Sequence, residues 1–245
     1  MTHNRDAGTS SVAAFLLILA AIAVTAGLWG LLVLPAEQHA AAEEEADYAQ
    51  TLLIKTRLGM AESAKQPSLH TIPFGVLFPK GTLTTENRGI LQIEEHSIPL
   101  TSLELQTGMV TQGITAGGIW RKDRGGAAWI LPPDTRYEAG VLSLELPVFT
   151  GDAAWGSSAA MPFVFSGTGV RMETVSGSPI TLTVCTGDAW VQQLWKAYFT
   201  ELSFQEGLTV TIQSGSDRVT AVLSAPDLMV QVTELFCTVE AGGTW

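Results

Sequence analysis

Glu94, Glu95 and His96 are consecutive, and two carboxylates beside an imidazole are a donor set that divalent metals accept. Consecutive side chains on a strand point to opposite faces, however, and no second histidine follows at ligand spacing, so no metal site is expected there. Any chain with four histidines offers material for a Ser-His-Asp arrangement, but no G-x-S-x-G, H-E-x-x-H or Walker loop marks one here. Gly167-Thr168-Gly169 lacks a third glycine and a following helix, which makes it a strand connection and not a phosphate cradle. The sequence therefore predicts no catalytic residues, no metal and no cofactor.

Binding chemistry is better represented. Arg121, Lys122 and Arg124 form the basic cluster of an otherwise acidic head and lie between Trp120 and Trp129. That pattern reads as a hairpin tip meeting an acidic neighbour or an anionic polymer, with a solvated turn as the alternative. Trp155, beside Gly156-Ser157-Ser158, is placed either to stack on a sugar ring or to pack. Cys185 and Cys237 are the two cysteines, and without a C-x-x-C they exclude a zinc site made of cysteines alone. A disulfide between them and two apolar core residues remain the alternatives.

The net charge is −11, and almost all of it lies after residue 36. A phosphate-binding surface needs clustered Lys and Arg, so nucleic acid is not an expected partner. Charged residues make up 15% of the chain against 46% apolar, a balance that points to a membrane segment or a strand-rich domain.

The elements that would hold these residues fall into four stretches. Residues 1–11 are a short polar leader. From 12 to 34 the chain reads VAAFLLILAAIAVTAGLWGLLVL without a charge. As one helix this run would measure roughly 35 Å, against about 30 Å of hydrocarbon, which predicts a transmembrane segment with the lipid bilayer as its partner. It is longer than the apolar core of roughly 7–15 residues usual in a cleaved secretory signal, although Ala40-Ala41-Ala42 would suit cleavage. Ala13, Ala20, Ala23, Gly27 and Gly30 share one stripe, which would let a second helix approach closely. Residues 35–66, rich in Ala and Glu, predict a helical stalk whose first half projects and whose second half, from Tyr48, docks.

Residues 67–245 predict a mainly antiparallel, sandwich-like β head. Leu142, Leu144 and Leu146 alternate, as do Ile180, Leu182 and Val184. Leu208, Val210 and Ile212 face Val219, Ala221 and Leu223 across Ser214-Gly215-Ser216-Asp217, a hairpin signature. One amphipathic helix interrupts: Val191, Leu194, Trp195, Tyr198, Phe199 and Leu202 recur at helical spacing, with Asp188 placed to cap its start and Gly207 its end. The expected fold class is α+β, with a long N-terminal transmembrane and stalk helix followed by this head.

The order Arg5-Asp6-Ala7-Gly8-Thr9-Ser10-Ser11-Val12, then a long apolar helix and an Ala/Glu-rich extension, resembles archaeal type IV pilin-like envelope proteins. Thr186-Gly187-Asp188-Ala189-Trp190, with Tyr198-Phe199, looks like a recurrent aromatic helix of such proteins. The resemblance implies peptidase cleavage between Gly8 and Thr9, self-assembly with other pilin-like subunits through the N-terminal helix, and a head outside the cell. Ala13 stands where many pilins carry a glutamate. The expectation is a membrane-anchored, non-catalytic structural protein of the cell envelope, single-pass, with its large C-terminal domain extracytoplasmic. The alternative is a membrane-tethered binding module that recognises a polymer or protein partner through the Trp120–Trp129 loop.

Overall fold

The structure is a computed structural model that describes residues 6–29, 31, 34–65, 69–73, 81–151, 154–156 and 162–241. In chain order its elements are α1 (Asp6–Leu28), α2 (Leu34–Lys65), β1 (Leu69–Pro73), β2 (Gly81–Ile93), β3 (His96–Thr107), β4 (Val110–Thr115), β5 (Gly118–Asp123) and β6 (Gly126–Leu131). They continue with β7 (Thr135–Glu138), β8 (Val141–Thr150), β9 (Ala154–Gly156), β10 (Pro162–Ser176), β11 (Ile180–Cys185), α3 (Ala189–Leu202), β12 (Thr209–Ser214), β13 (Arg218–Ser224) and β14 (Met229–Ala241).

Two N-terminal expectations are corrected. Over the uncharged run from 12 to 34, α1 spans to Leu28 and α2 begins at Leu34, with Trp29 and Leu31 in π-helical conformation between them. Gly27 is a weak helix former near the end of α1, and Pro35 sits in the first turn of α2, where its missing N–H costs nothing. The apolar part of α1, from Val12 to Leu28, is then only about 25 Å long, short of the ~30 Å hydrocarbon layer. Among the described residues no helix is long and apolar enough to cross a membrane. This overturns the transmembrane helix, the single-pass membrane location built on it and the pilin-like architecture. The large apolar side chains of α1, among them Phe15, Leu17, Ile22 and Leu28, are exposed.

Nor does a long N-terminal stalk helix stand apart from the head. The chain divides into two compact units between Glu45 and Ala46, within α2. From Ala46 onward α2 belongs to the β-rich unit: Ala46, Ala49, Leu52, Leu53 and Met60 are buried. The amide Nε2 of Gln112 on β4 donates to the Ala46 carbonyl at 2.9 Å and ties sheet to helix inside the core.

The fold is mostly β, and its main sheet is a half-barrel in place of the sandwich-like head expected. One sheet has the order β1-β10-β14-β8-β7; the other runs β12-β13-β11-β2-β3-β4-β5-β6, with β9 pairing β2 off this path. Pairing is antiparallel except for β14 beside β8, which is parallel from Met229↔Val141 to Thr238↔Thr150. The β12–β13 hairpin turns at the expected residues, pairing Ile212 with Ala221 and Val210 with Leu223.

Two apolar cores result. The larger gathers Leu91, Ile93, Ile98 and Leu100 of β2 and β3 with Leu142, Leu144, Ile180, Leu182, Val230 and five residues of the predicted α3 stripe, Val191, Trp195, Tyr198, Phe199 and Leu202. The smaller packs Ala49, Leu52, Leu53 and Met60 of α2 against Leu83, Leu103, Leu105 and Ile114. Strands β2 and β3 therefore serve both, one on each face.

Candidate functional site

Alternation along β3 places Ile98, Leu100, Ser102, Glu104 and Gln106 on one face. The first two enter the larger core; the last two line a groove of about 240 Å³ with Thr82, Thr84, Glu86, Arg88, Thr111, Trp120, Lys122 and Trp190. The strand register explains the lining. Thr84, Glu104, Gly113 and Trp120 are successive cross-strand partners over β2, β3, β4 and β5, and Thr82, Gln106, Thr111 and Lys122 form the next row. Two polar rows thus cross four strands side by side and end on Trp120 and Lys122.

Gly113 makes room for that end. A Cβ there would lie 2.6 Å from Trp120 Cζ2, so only glycine lets the indole lie across β4. Trp120 is buried, and its Nε1 donates to Thr115 Oγ1 at 2.9 Å. The half-buried ring of Trp190, at the start of α3, packs on it with centroids 4.6 Å apart and planes tilted by 53°. Two cations flank the Trp190 indole: Arg88 Cζ lies 5.3 Å and Lys122 Nζ 4.8 Å from its centroid.

Arg88 is aimed by a bulge. Between Asn87 and Ile90 the register of β2 against β3 gains a residue, and Gly89, at φ +127°, occupies the kink. A Cβ on Gly89 would sit 2.2 Å from the Cys185 carbonyl oxygen. The re-aimed guanidinium grips buried Glu104 through two bonds, Nε to Oε1 and Nη2 to Oε2, both 2.6 Å. Its Nη1 donates to Asp188 Oδ2 at 3.0 Å. The bond to Glu104, then its charge, then Asp188 raise the arginine's already high pKa against the opposing effect of burial. Asp188 holds the N-cap position of α3, yet its side chain makes no cap bond and instead accepts from Arg88. The helix ends at Leu202 with Ser203 as cap, so Gly207, at φ +83°, lies beyond its end.

A second, wider depression of about 490 Å³ shares Arg88 with the first and is lined by Asn87, Thr186, Gly187, Asp188 and Asp217 among others. The two form one track with the Arg88 network at its middle.

The expected contact loop is split by this arrangement. Trp120 and Lys122 face the groove, whereas Arg121 pairs with Asp123 at 3.5 Å and Arg124 stands exposed at the tip. Trp129 turns inward, its Nε1 donating to the Leu194 carbonyl at 2.7 Å. Glu94, Glu95 and His96 are not brought together for a metal: Glu94 Oε1 accepts from the Thr181 amide at 2.5 Å, and His96 Nε2 meets buried Glu234 at 2.9 Å. No metal-binding group occurs among the described residues.

The remaining expected sites lie elsewhere. Both thiols are free, Cys185 half-buried on β11 and Cys237 buried in β14, where burial pushes its pKa up to about 11. Gly8 and Thr9 fall inside α1. Ala20, Ala23 and Gly27 are exposed on that helix and Ala13 is part of it, while Gly30 lies outside the described residues. Trp155 is on β9.

Arg88, Glu104, Asp188 and Trp190 are the site residues that the sequence reading did not assemble. Two local signals existed: a glycine next to Arg88 within a strand pattern, which suggests a bulge, and Trp190, an aromatic just off the α3 stripe. Comparison of the chain with protein-family models, curated proteins and solved structures finds no match.

Proposed function

We propose that this chain is a non-catalytic binding module that recognises a polymer along the track through Arg88 and Trp190. The observation that carries the reading is the Trp190 indole, half-exposed and flanked by Arg88 and Lys122 at the end of two polar cross-strand rows. Trp190 packs at the edge of the larger core and on Trp120, and the groove beside it adds hydroxyl, amide and charged groups. The two adjoining depressions favour an elongated ligand over a small one. Catalysis is disfavoured at Glu104, whose two oxygens are both engaged by Arg88 and so cannot exchange a proton freely.

The test is affinity electrophoresis of the full chain through gels containing dextran, polygalacturonate or poly-lysine. A binding module is retarded by at least one of them, and Trp190→Ala restores free migration. Equal migration in all three gels, or retardation that Trp190→Ala leaves intact, refutes the assignment.

A further inference from the structure

We infer, resting on that reading, that the polymer is a neutral polysaccharide. The charges lining the smaller depression cancel, Arg88 and Lys122 against Glu104 and Glu86, while in the wider one Asp188 pairs with Arg88 and Asp217 with Arg218. A polyanion would meet one ammonium and the field of a chain carrying −11. A cationic partner would find the indole already flanked by Arg88 and Lys122. Neither sign of charge is favoured.

The uncharged groups fit a polyol. Thr82, Thr84 and Thr111 present hydroxyls that donate and accept, and Gln106 adds an amide with both functions. Every sugar hydroxyl is likewise donor and acceptor, so such a lining satisfies it without a net charge. A pyranose also carries a face of C–H groups, which can pack on the partly exposed Trp190 side chain. Cross-strand spacing of about 5 Å between successive side chains of a row is close to the length of one sugar residue. A strand of sugars can thus be followed residue by residue.

The inference is tested by isothermal titration of the full chain with a neutral glucan, a mannan and a galactan, against polygalacturonate and poly-lysine. The expected result is saturable binding of a neutral polymer that barely responds to added salt, as counterion release plays no part. Trp190→Ala should weaken it about 5- to 150-fold, as loss of one stacked ring costs about 1–3 kcal/mol. Thr84→Val and Gln106→Leu, which alter no core contact, should each weaken it several-fold at unchanged melting temperature. Binding of polygalacturonate or poly-lysine alone, abolished by salt and by Trp190→Ala, overturns the ligand class while leaving the binding module intact. Absence of binding in every arm overturns both.

Discussion

Strands β5 and β6 contribute one cross-strand tryptophan pair, Trp120 and Trp129, and the two indoles end in opposite circumstances. Trp129 meets Trp195 edge-on, centroids 6.1 Å apart and planes at 89°, and Trp195 goes on to contact Tyr198 and Phe199. Trp120 meets Trp190, whose other neighbours include a guanidinium and an ammonium. Each pair joins one buried ring, Trp195 or Trp120, to one partly buried ring, Trp129 or Trp190, but the first lies against α3 and the second lines a polar groove. An indole's surroundings are thus set by what its strand faces: one hairpin supplies a tryptophan bonded to α3 and another that lines a polar groove.

The comparison breaks most directly by truncation. Trp195 is 1% exposed, and Trp195→Ala should cost about 3–5 kcal/mol through lost burial and the cavity left behind. Trp190→Ala removes a half-buried ring and should cost about 1–2 kcal/mol while deleting binding. Urea unfolding of the two variants measures the gap; equal costs would mean that Trp190 is simply another core residue.

Arg88 comes next. Glu104 is 4% exposed, so Arg88→Ala leaves a buried carboxylate without its partner and should destabilise by about 3 kcal/mol. Replacing both residues by Met should recover most of that loss, because an apolar pair of similar volume needs no compensation. A double-mutant cycle in urea reads the coupling. If the double variant is as unstable as Arg88→Ala, Arg88 is there for packing and not to neutralise Glu104.

Alkaline pH should separate the sealed regions from the groove. Burial raises the Tyr198 phenol above its ordinary 10.0, despite its bond to Thr135, and raises the Cys237 thiol from 9.0 to about 11. In the unfolded chain both lose protons at their ordinary values, whereas the folded chain retains them. Folding stability contributed by these groups is therefore complete below pH 9.0 and declines as pH climbs toward 11 and beyond. The Arg88 pKa is raised, so its grip on Glu104 persists over that range. The urea midpoint should fall while polymer binding by the remaining folded protein is retained. The same burial should leave Cys237 unalkylated under native conditions at neutral pH, with Cys185 modified first.

What the sequence made legible were single elements. The α3 stripe followed from helical periodicity alone, and all six of its predicted core residues are buried. The β12–β13 hairpin followed from four turn residues. The N-terminal helix was misjudged because hydropathy measures the length of an uncharged run and not the extent of regular α-helix within it, which for α1 is Asp6–Leu28. The groove was illegible for a different reason. Its rows exist only once four strands are in register, and its central bond joins Arg88 to Asp188, 100 residues apart. Lys122 was singled out for its charge, but its use depends on a tryptophan from α3 that no local pattern connects to it.

The smallest expected effect concerns that lysine. Lys122 and Arg124 are two residues apart and both exposed, yet only Lys122 stands over an indole. Arg124→Gln, at the open tip, should change stability by less than about 0.5 kcal/mol and leave binding untouched. Lys122→Gln should cost about 0.5–1 kcal/mol, the worth of one exposed cation–π contact. Its amide can still hydrogen-bond a neutral ligand, so neutral-polymer affinity should drop only slightly, whereas Lys122→Glu should lower it further by placing a second carboxylate beside Glu86. Thermal melts and titrations on the three variants resolve these steps. Should Arg124→Gln weaken binding as much as Lys122→Gln, the contact surface would be the hairpin tip rather than the strand face that Trp190 closes.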